Sequence, residues 1–400
     1  MAELISVADA EALIAAHMPS FGVEQVGLDA AIGRVLRKPV VAERDHPPFD
    51  RVMMDGIGVR WSDSLPTSFP IAGSQMAGMG RMTLSDSGAC LEVTTGAIAP
   101  DGCDCIIPIE QTRRDGDRYV LAEGYQPSKG QFIHGQASDC RAGTEVLASG
   151  VRLAAPEMAQ LAANGVARVE VAVSPSIAIL ATGDELVSVD ELLGEGQIRR
   201  SNDIAIAAAL RGHGLDRVAL HHVSDDLSAT TDALGALLAA HDVVIVSGGV
   251  SMGQRDYVPE ALAALGVKRI FHRIAQRPGK PIWFGVGPDG QLVFALPGNP
   301  VSSLVCAIRY VRPALLAAMG LKAEPLEYVC LYDDVQTNPT LTCFVPVHVR
   351  QDETGRSVAR SVVSPTSGDF SSLVRAHGFV QLSPGESRAL AGAVAPLYRW

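Results

Sequence analysis

The stretch VVIVSGGVSMGQRDY (243–257) decides the fold. Val243–Val246 is an apolar run without alternation, the pattern of a strand buried on both faces of a parallel sheet. Ser247-Gly248-Gly249-Val250-Ser251-Met252-Gly253 follows it at once, and Asp256 stands just beyond. Glycines let backbone N–H groups approach an anion, and a following helix start favours negative charge. Working outward, strands and helices alternate. Ile177–Leu180, Val218–Val223 and Leu292–Leu296 read as strands. Asn202–Leu210, Leu227–Ala240, Tyr257–Leu265 and Val301–Met319 read as helices, with Ser201 and Asp226 as N-caps. The alternation predicts a parallel α/β sheet covered on both faces over residues 173–320.

Two more loops follow strands in the same way. Thr182-Gly183-Asp184-Glu185 comes after the 177–180 run, and Pro297-Gly298-Asn299-Pro300 opens the helix that carries Ser302 and Ser303. Ligands of such sheets sit at the strands' carboxyl ends. Asp184, Glu185, Asp225, Asp226 and Asp256 all fall near those ends. Carboxylates facing phosphate call for a neutralising cation, and Mg²⁺ is the usual one. Asp225-Asp226 also fits a plain helix cap. Arg273, Arg277 and Lys280, in HRIAQRPGKP, supply the basic side for a tetrahedral oxyanion.

The flanks differ in texture. Residues 46–145 have short runs punctuated by glycine and read as an inserted β domain. Val7–His17, Leu28–Leu36 and Ala155–Asn164 read as helical, and residues 1–45 and 146–172 are expected to pack as one helical linker module around that insertion. Residues 321–400 return to short strands and read as a C-terminal β-barrel-like domain. The predicted class is therefore multidomain α/β plus β.

The composition excludes several functions. The 400 residues carry a net charge of −11, against binding to nucleic acid or an anionic membrane. The apolar stretch from Gln291 to Ile308 is broken by Pro297, Gly298, Asn299 and Pro300, so no membrane span is expected. MAELISVADAEALIAAH lacks the layout of a secretory leader. Seven thinly spread cysteines fit a reducing cytoplasm better than a disulfide framework. Cys103-Asp104-Cys105 and His221-His222 are weak metal fragments with no second pair at ligand spacing.

The motifs PPFDRVMMDG (47–56), TTGAIAPDGCDCIIPIE (94–110), TGDEL (182–186), GEGQIRRSN (194–202), SGGVSMGQRDY (247–257), RPGKP (277–281), LPGNPVSS (296–303) and SGDFSSL (367–373) resemble the molybdopterin molybdenumtransferase family: bacterial MoeA and the gephyrin E domain. The resemblance spans nearly the whole chain in family order. It implies a MogA-like α/β domain and a homodimer with sites at the subunit boundary. The implied reaction is Mg²⁺-dependent insertion of molybdate into adenylylated molybdopterin, with release of AMP. Asp55 and Thr95 would reach the partner's site. Asp139 matches a further family carboxylate. Glu185, Asp226 and Asp256 would arrange metal and phosphates. Thr182, Gly183, Ser247, Gly248, Gly249 and Ser251, with Pro297, Gly298, Asn299 and Pro300, would form the phosphate loops. Arg273, Arg277 and Lys280 would draw in molybdate; Ser302 and Ser367 would contact ligand. Other cofactor-biosynthesis proteins are implied partners. The chain departs from the family pattern at Arg51-Val52-Met53, at His134–Ser138 and at Pro346, where an Arg is usual. A diverged non-catalytic scaffold that binds pterin or nucleotide is the alternative these changes leave open.

Overall fold

The computed structural model describes residues 4–250, 256–362, 366 and 368–400. The chain divides into two compact units. Unit 1 holds residues 1–37, 150–154 and 168–400; unit 2 holds residues 38–149 and 155–167.

Unit 1 is built on a six-stranded sheet: β1 (Ile177–Thr182), β2 (Val218–Val223), β3 (Val243–Ser247), β4 (Lys268–His272), β5 (Trp283–Val286) and β6 (Leu292–Leu296). The spatial order is β2-β1-β3-β6-β5-β4. The first four are parallel; β5 runs antiparallel to β6 and to β4, so one strand is reversed and the sheet is mixed rather than wholly parallel. The reversal follows from short connections: a turn of a few residues joins β5 to β6, which is long enough only for antiparallel neighbours.

Both faces of the sheet are buried, which explains the lack of alternation. Ile177, Ile179, Val243, Ile245, Leu292 and Phe294 join one core with the N-terminal helix Val7–Ala16. Ala178, Leu180, Val244, Val246, Val293 and Ala295 join a second core under the helices Leu227–Ala240 and Val258–Ala264. Each such buried large aliphatic side chain contributes ~1.5–3 kcal/mol relative to exposure. The last helical stretch, Pro300–Ala318, is 19 residues long and apolar enough to cross a membrane, yet 67% of its apolar window is buried inside the protein. It is a core helix, interrupted by a π segment at Ala307–Val311.

The C-terminal strands close on themselves. Glu327–Leu331, Thr342–Gln351, Ser357–Ser361, Gly378–Leu382 and Val394–Arg399 pair in a ring, because Thr342–Gln351 also pairs Gly378–Leu382. Val329, Val347, Val380 and Ala395 fill its interior. Closure into a small barrel satisfies edges that an open sheet would leave unpaired. Pro346 lies within it, opposite Phe379.

Unit 2 has its own six-stranded sheet, in the order Cys105–Pro108, Gly56–Val59, Cys90–Val93, Ser68–Gln75, Arg118–Leu121, Thr112–Asp115. Two expectations need correction. Leu28–Leu36 forms only one 3₁₀ turn, Leu28–Ala30, after which Val35 and Leu36 make β-bridges to Arg152 and Val171. The two longer helices do not share one module: Val7–Ala16 belongs to unit 1 and Ala155–Ala163 to unit 2. What joins the two halves of unit 1's N-terminal region is a β pair, Val23–Gly27 with Arg168–Ala172.

Candidate active site

A cleft of about 1040 Å³ opens at the carboxyl ends of β1, β3 and β6. All its lining residues belong to unit 1. Four loops meet there. From β1 come Thr182, Gly183 and Glu185; from β3, Ser247, Gly248 and Gly249, with Asp256 beyond. From β6 come Pro297, Gly298, Asn299, Pro300 and Ser302, and the fourth loop brings Arg277 to Pro281.

The loops leave a cradle that side chains do not fill. Gly248 has φ +105, and a Cβ there would lie 2.7 Å from Thr182 Oγ1. Thr182 Oγ1 is itself buried with no hydrogen-bond partner among the described residues. Asn202, at the start of the helix Asn202–Arg211, ties two loops together. Its Nδ2 donates to Ser247 Oγ at 3.0 Å and to Gly298 O at 2.8 Å. Ser247 Oγ also meets Ser303 Oγ at 3.4 Å. His222 Nε2 holds the first loop by Gly183 O at 3.0 Å.

The cleft carries both signs of charge. Glu185, Asp225 and Asp256 bring carboxylates, while Arg277 and Lys280 bring exposed cations. Sequence reasoning missed Arg199, Arg200 and Asp203, which also line the cleft. Asp203 is 1% exposed, and Arg200 Nε lies 3.8 Å from its Oδ2. The only signal for them was their place in GEGQIRRSN, just ahead of a helix.

Some expected residues lie elsewhere. Asp226 is not in the cleft lining; its Oδ1 accepts from Ala229 N at 2.8 Å as the N-cap of Leu227–Ala240, and Asp225 lines the cleft instead. Arg273 is also outside the lining, with φ +78 and its N–H given to Ile282 O at 2.9 Å. Ser201 occupies an N-cap position, but its side chain makes no capping bond. Ser251 and Ser367 lie outside the described residues.

Unit 2 carries the remaining three. Asp55 Oδ1 accepts from Thr95 N at 2.6 Å and Thr95 Oγ1 at 2.9 Å, and these bonds hold its carboxyl below the usual range. Gly56 fixes the backbone beside it, because a Cβ there would fall 2.0 Å from Ile107 O. Asp139 Oδ1 meets His134 Nε2 at 2.7 Å, and His134 Nδ1 meets Arg51 Nη2 at 3.1 Å. Arginine only donates, so Nδ1 accepts and the ring proton sits on Nε2, facing Asp139. Arg51 and His134 are partners across a strand pair, so two of the three departures are one structural unit.

A mixed α/β sheet with a cleft of glycine-rich loops at its carboxyl edge, followed by a closed barrel, defines the class: a multidomain α/β plus β protein. Comparison with known proteins makes this specific. Residues 5–165 match the MoeA N-terminal region (domain I and II), residues 178–317 a probable molybdopterin binding domain, and residues 329–400 the MoeA C-terminal region (domain IV). A molybdopterin molybdenumtransferase of Synechocystis sp. is 36% identical over 400 residues, covering 99% of this chain and 100% of that one. One of Staphylococcus epidermidis is 30% identical, covering 91% and 87%. The crystal structure of a molybdopterin biosynthesis MoeA protein from Pyrococcus horikoshii OT3 superposes over 100% of both chains, with TM-score 0.82 and 27% identity. The chain belongs to the molybdopterin molybdenumtransferase (MoeA) family.

Proposed function

We propose that the chain inserts molybdate into adenylylated molybdopterin, releasing AMP and molybdenum cofactor. The observation that supports this best is the pairing, in one cleft, of a backbone anion cradle with a separate cationic loop. The cradle of Gly183, Gly248, Gly249 and Gly298 takes the phosphates that link pterin to AMP. Backbone N–H groups there act as fixed dipoles, already oriented when charge shifts during P–O cleavage. Asn202 keeps the Ser247 and Gly298 loops in register. Arg277 and Lys280 receive molybdate, a dianion of tetrahedral shape suited to charge-assisted hydrogen bonds.

Mg²⁺ fits the donor set in one mode. Glu185 and Asp256, with Asp225 beside them, give only hard oxygen ligands. Among the described residues no three His, Cys, Asp or Glu side chains form a ready cage. Mg²⁺ would therefore be held by one or two of these carboxylates, by water and by substrate phosphate, as is usual for that ion. Its chemistry there is to neutralise the phosphates. A homodimer completes the reading: unit 1 alone lines the cleft, and a second copy would bring Asp55, Thr95 and Asp139 to it. The seven free cysteines suit a cytoplasmic setting.

The test is AMP release from adenylylated molybdopterin against molybdate concentration, for wild type and Lys280→Ala at fixed ionic strength. Losing one charge-assisted bond should raise the half-saturating molybdate concentration by about 10- to 150-fold. Sulfate should compete. Overlaid curves would remove the RPGKP loop from molybdate binding. A wild type with no molybdate dependence would replace the insertase reading with the scaffold reading.

A further inference from the structure

The cationic loop rests on a small buried polar network that the reaction as proposed does not use. Gln276, just ahead of Arg277, is buried, as are Cys306 and Tyr310. Tyr310 Oη donates to Gln276 Oε1. Gln276 Nε2 donates to Pro278 O at 3.1 Å and lies 3.6 Å from Cys306 Sγ. Cys306 Sγ in turn approaches Gly279 O at 3.7 Å. The carboxamide thus has both ends satisfied, and both carbonyls of the Pro278-Gly279 turn are held from below. The packing is close: a Cβ on Gly279, at φ +88, would lie 2.5 Å from Cys306 Sγ and 2.7 Å from Gln276 Nε2.

The other end of this network sits on the helix that starts at Pro300, in the LPGNP loop. Cys306 and Tyr310 are four residues apart on it and face the same glutamine. Tyr310 lies within the π segment Ala307–Val311. A π turn inserts an extra residue and rotates the rest of the helix; such turns mark functional positions more often than chance. The wide turn presents a tyrosine hydroxyl in an otherwise apolar core, where an unpaired hydroxyl is costly. The hydroxyl's partner is the glutamine under the cationic loop.

We propose that Gln276 and Tyr310 are positioning residues: a buried strap, running from the LPGNP helix to the underside of Pro278-Gly279, that keeps Arg277 and Lys280 aimed into the cleft. This deepens the reading above and rests on it where the oxyanion is concerned. The strap's helix begins at the LPGNP loop, but its hydrogen bonds go to the Pro278-Gly279 turn and not to the glycines of the phosphate cradle, so its effect should fall mainly on the oxyanion. Tyr310→Phe and Gln276→Met keep volume and remove the bond from either end. Each should raise the half-saturating molybdate concentration about 3- to 10-fold, the scale of one net hydrogen bond. The half-saturating concentration of adenylylated molybdopterin, and the rate at saturating molybdate, should stay within about twofold. The double variant should be no worse than the poorer single, because both remove the same bond.

Hydrogen exchange supplies a readout independent of activity. The amides of Ile274, bonded to Lys280 O at 3.0 Å, and Ile282, bonded to Gly279 O at 3.3 Å, report the loop's closure. Both should exchange faster in Tyr310→Phe while the amides of β1 and β3 keep their protection. Unchanged exchange at Ile274 and Ile282 would overturn the strap. So would equal shifts in the molybdate and pterin half-saturation values, which would mean general loosening. Faster exchange together with a silent Lys280→Ala would support the strap and overturn the assignment of this loop to molybdate.

Discussion

Gly248 shows how one residue type is dictated by chemistry at a single point. Its φ of +105 suits glycine alone, and a Cβ would press on Thr182 Oγ1 and Thr182 O. Gly248→Ala should cost about 1–3 kcal/mol of stability through backbone strain. It should also weaken AMP binding by ~10-fold or more, about 1.4 kcal/mol, since the methyl pressing on Thr182 would push the Ser247-Gly248-Gly249 loop out of place. Urea unfolding and calorimetric titration with AMP measure the two effects; normal AMP affinity would exclude Gly248 from the phosphate site. Asp256→Ala tests the acidic side. Removing one preorganised electrostatic contact should slow Mg²⁺-dependent AMP release by about 10²-fold, ~2.7 kcal/mol. An unchanged rate at saturating Mg²⁺ would argue against that role. At this scale the sequence was legible where residue type and loop position agree, as at Gly183, Gly248 and Lys280. It was not legible at Asn202 or His222. A side chain that ties two loops carries no local pattern, because its partners are 45 and 96 residues away for Asn202, and 39 for His222.

The helix Leu227–Ala240 separates two adjacent carboxylates that one-dimensional reasoning treats alike. Its first turn needs a side-chain acceptor, and Asp226 provides it through Ala229 N. The extended backbone at the cap turns Asp226 back on its own helix, and Asp225 is left to line the cleft. Asp226→Ala should therefore lower stability by ~1 kcal/mol, the usual worth of an N-cap. AMP release at saturating substrate should stay near the wild-type rate. Asp225→Ala should do the reverse, and thermal unfolding beside steady-state kinetics separates the two. If Asp226→Ala abolished turnover without loss of stability, the metal-ligand reading of Asp226 would return. The strands Lys268–His272 and Trp283–Val286, at one end of the sheet, make the same point for sheets. Neither is named as a strand from the sequence, and the direction of each depends on connection length and on which neighbour it pairs.

The whole molecule carries seven free cysteines in very unequal surroundings. Burial pushes the Cys90, Cys103 and Cys306 thiols up to about 12 and Cys105 up to about 11, so none forms thiolate at neutral pH. Cys343 is also buried, whereas Cys140 and Cys330 are partly exposed. A colorimetric thiol titration at mildly alkaline pH should count the two partly exposed groups as fast in the native protein and all seven in denaturant. A larger fast count would mean that one of these cores is looser than described. Light scattering at micromolar concentration should give about twice the 42.1 kDa chain mass; a fully active monomer would remove the dimer. By itself the sequence determined the alternation of buried strands and helices, the glycine loops that end the strands, and through its motifs the family. These are local properties: periodicity, backbone freedom and spacing act within a few residues. Only the tertiary structure decided that the sheet is mixed, which strands close the expected C-terminal barrel, that Val7–Ala16 and Ala155–Ala163 part into separate units, and that Tyr310 reaches Gln276 beneath the cationic loop. Each of these depends on contacts between segments far apart in the chain, and such contacts are selected by packing, which no single stretch of sequence encodes.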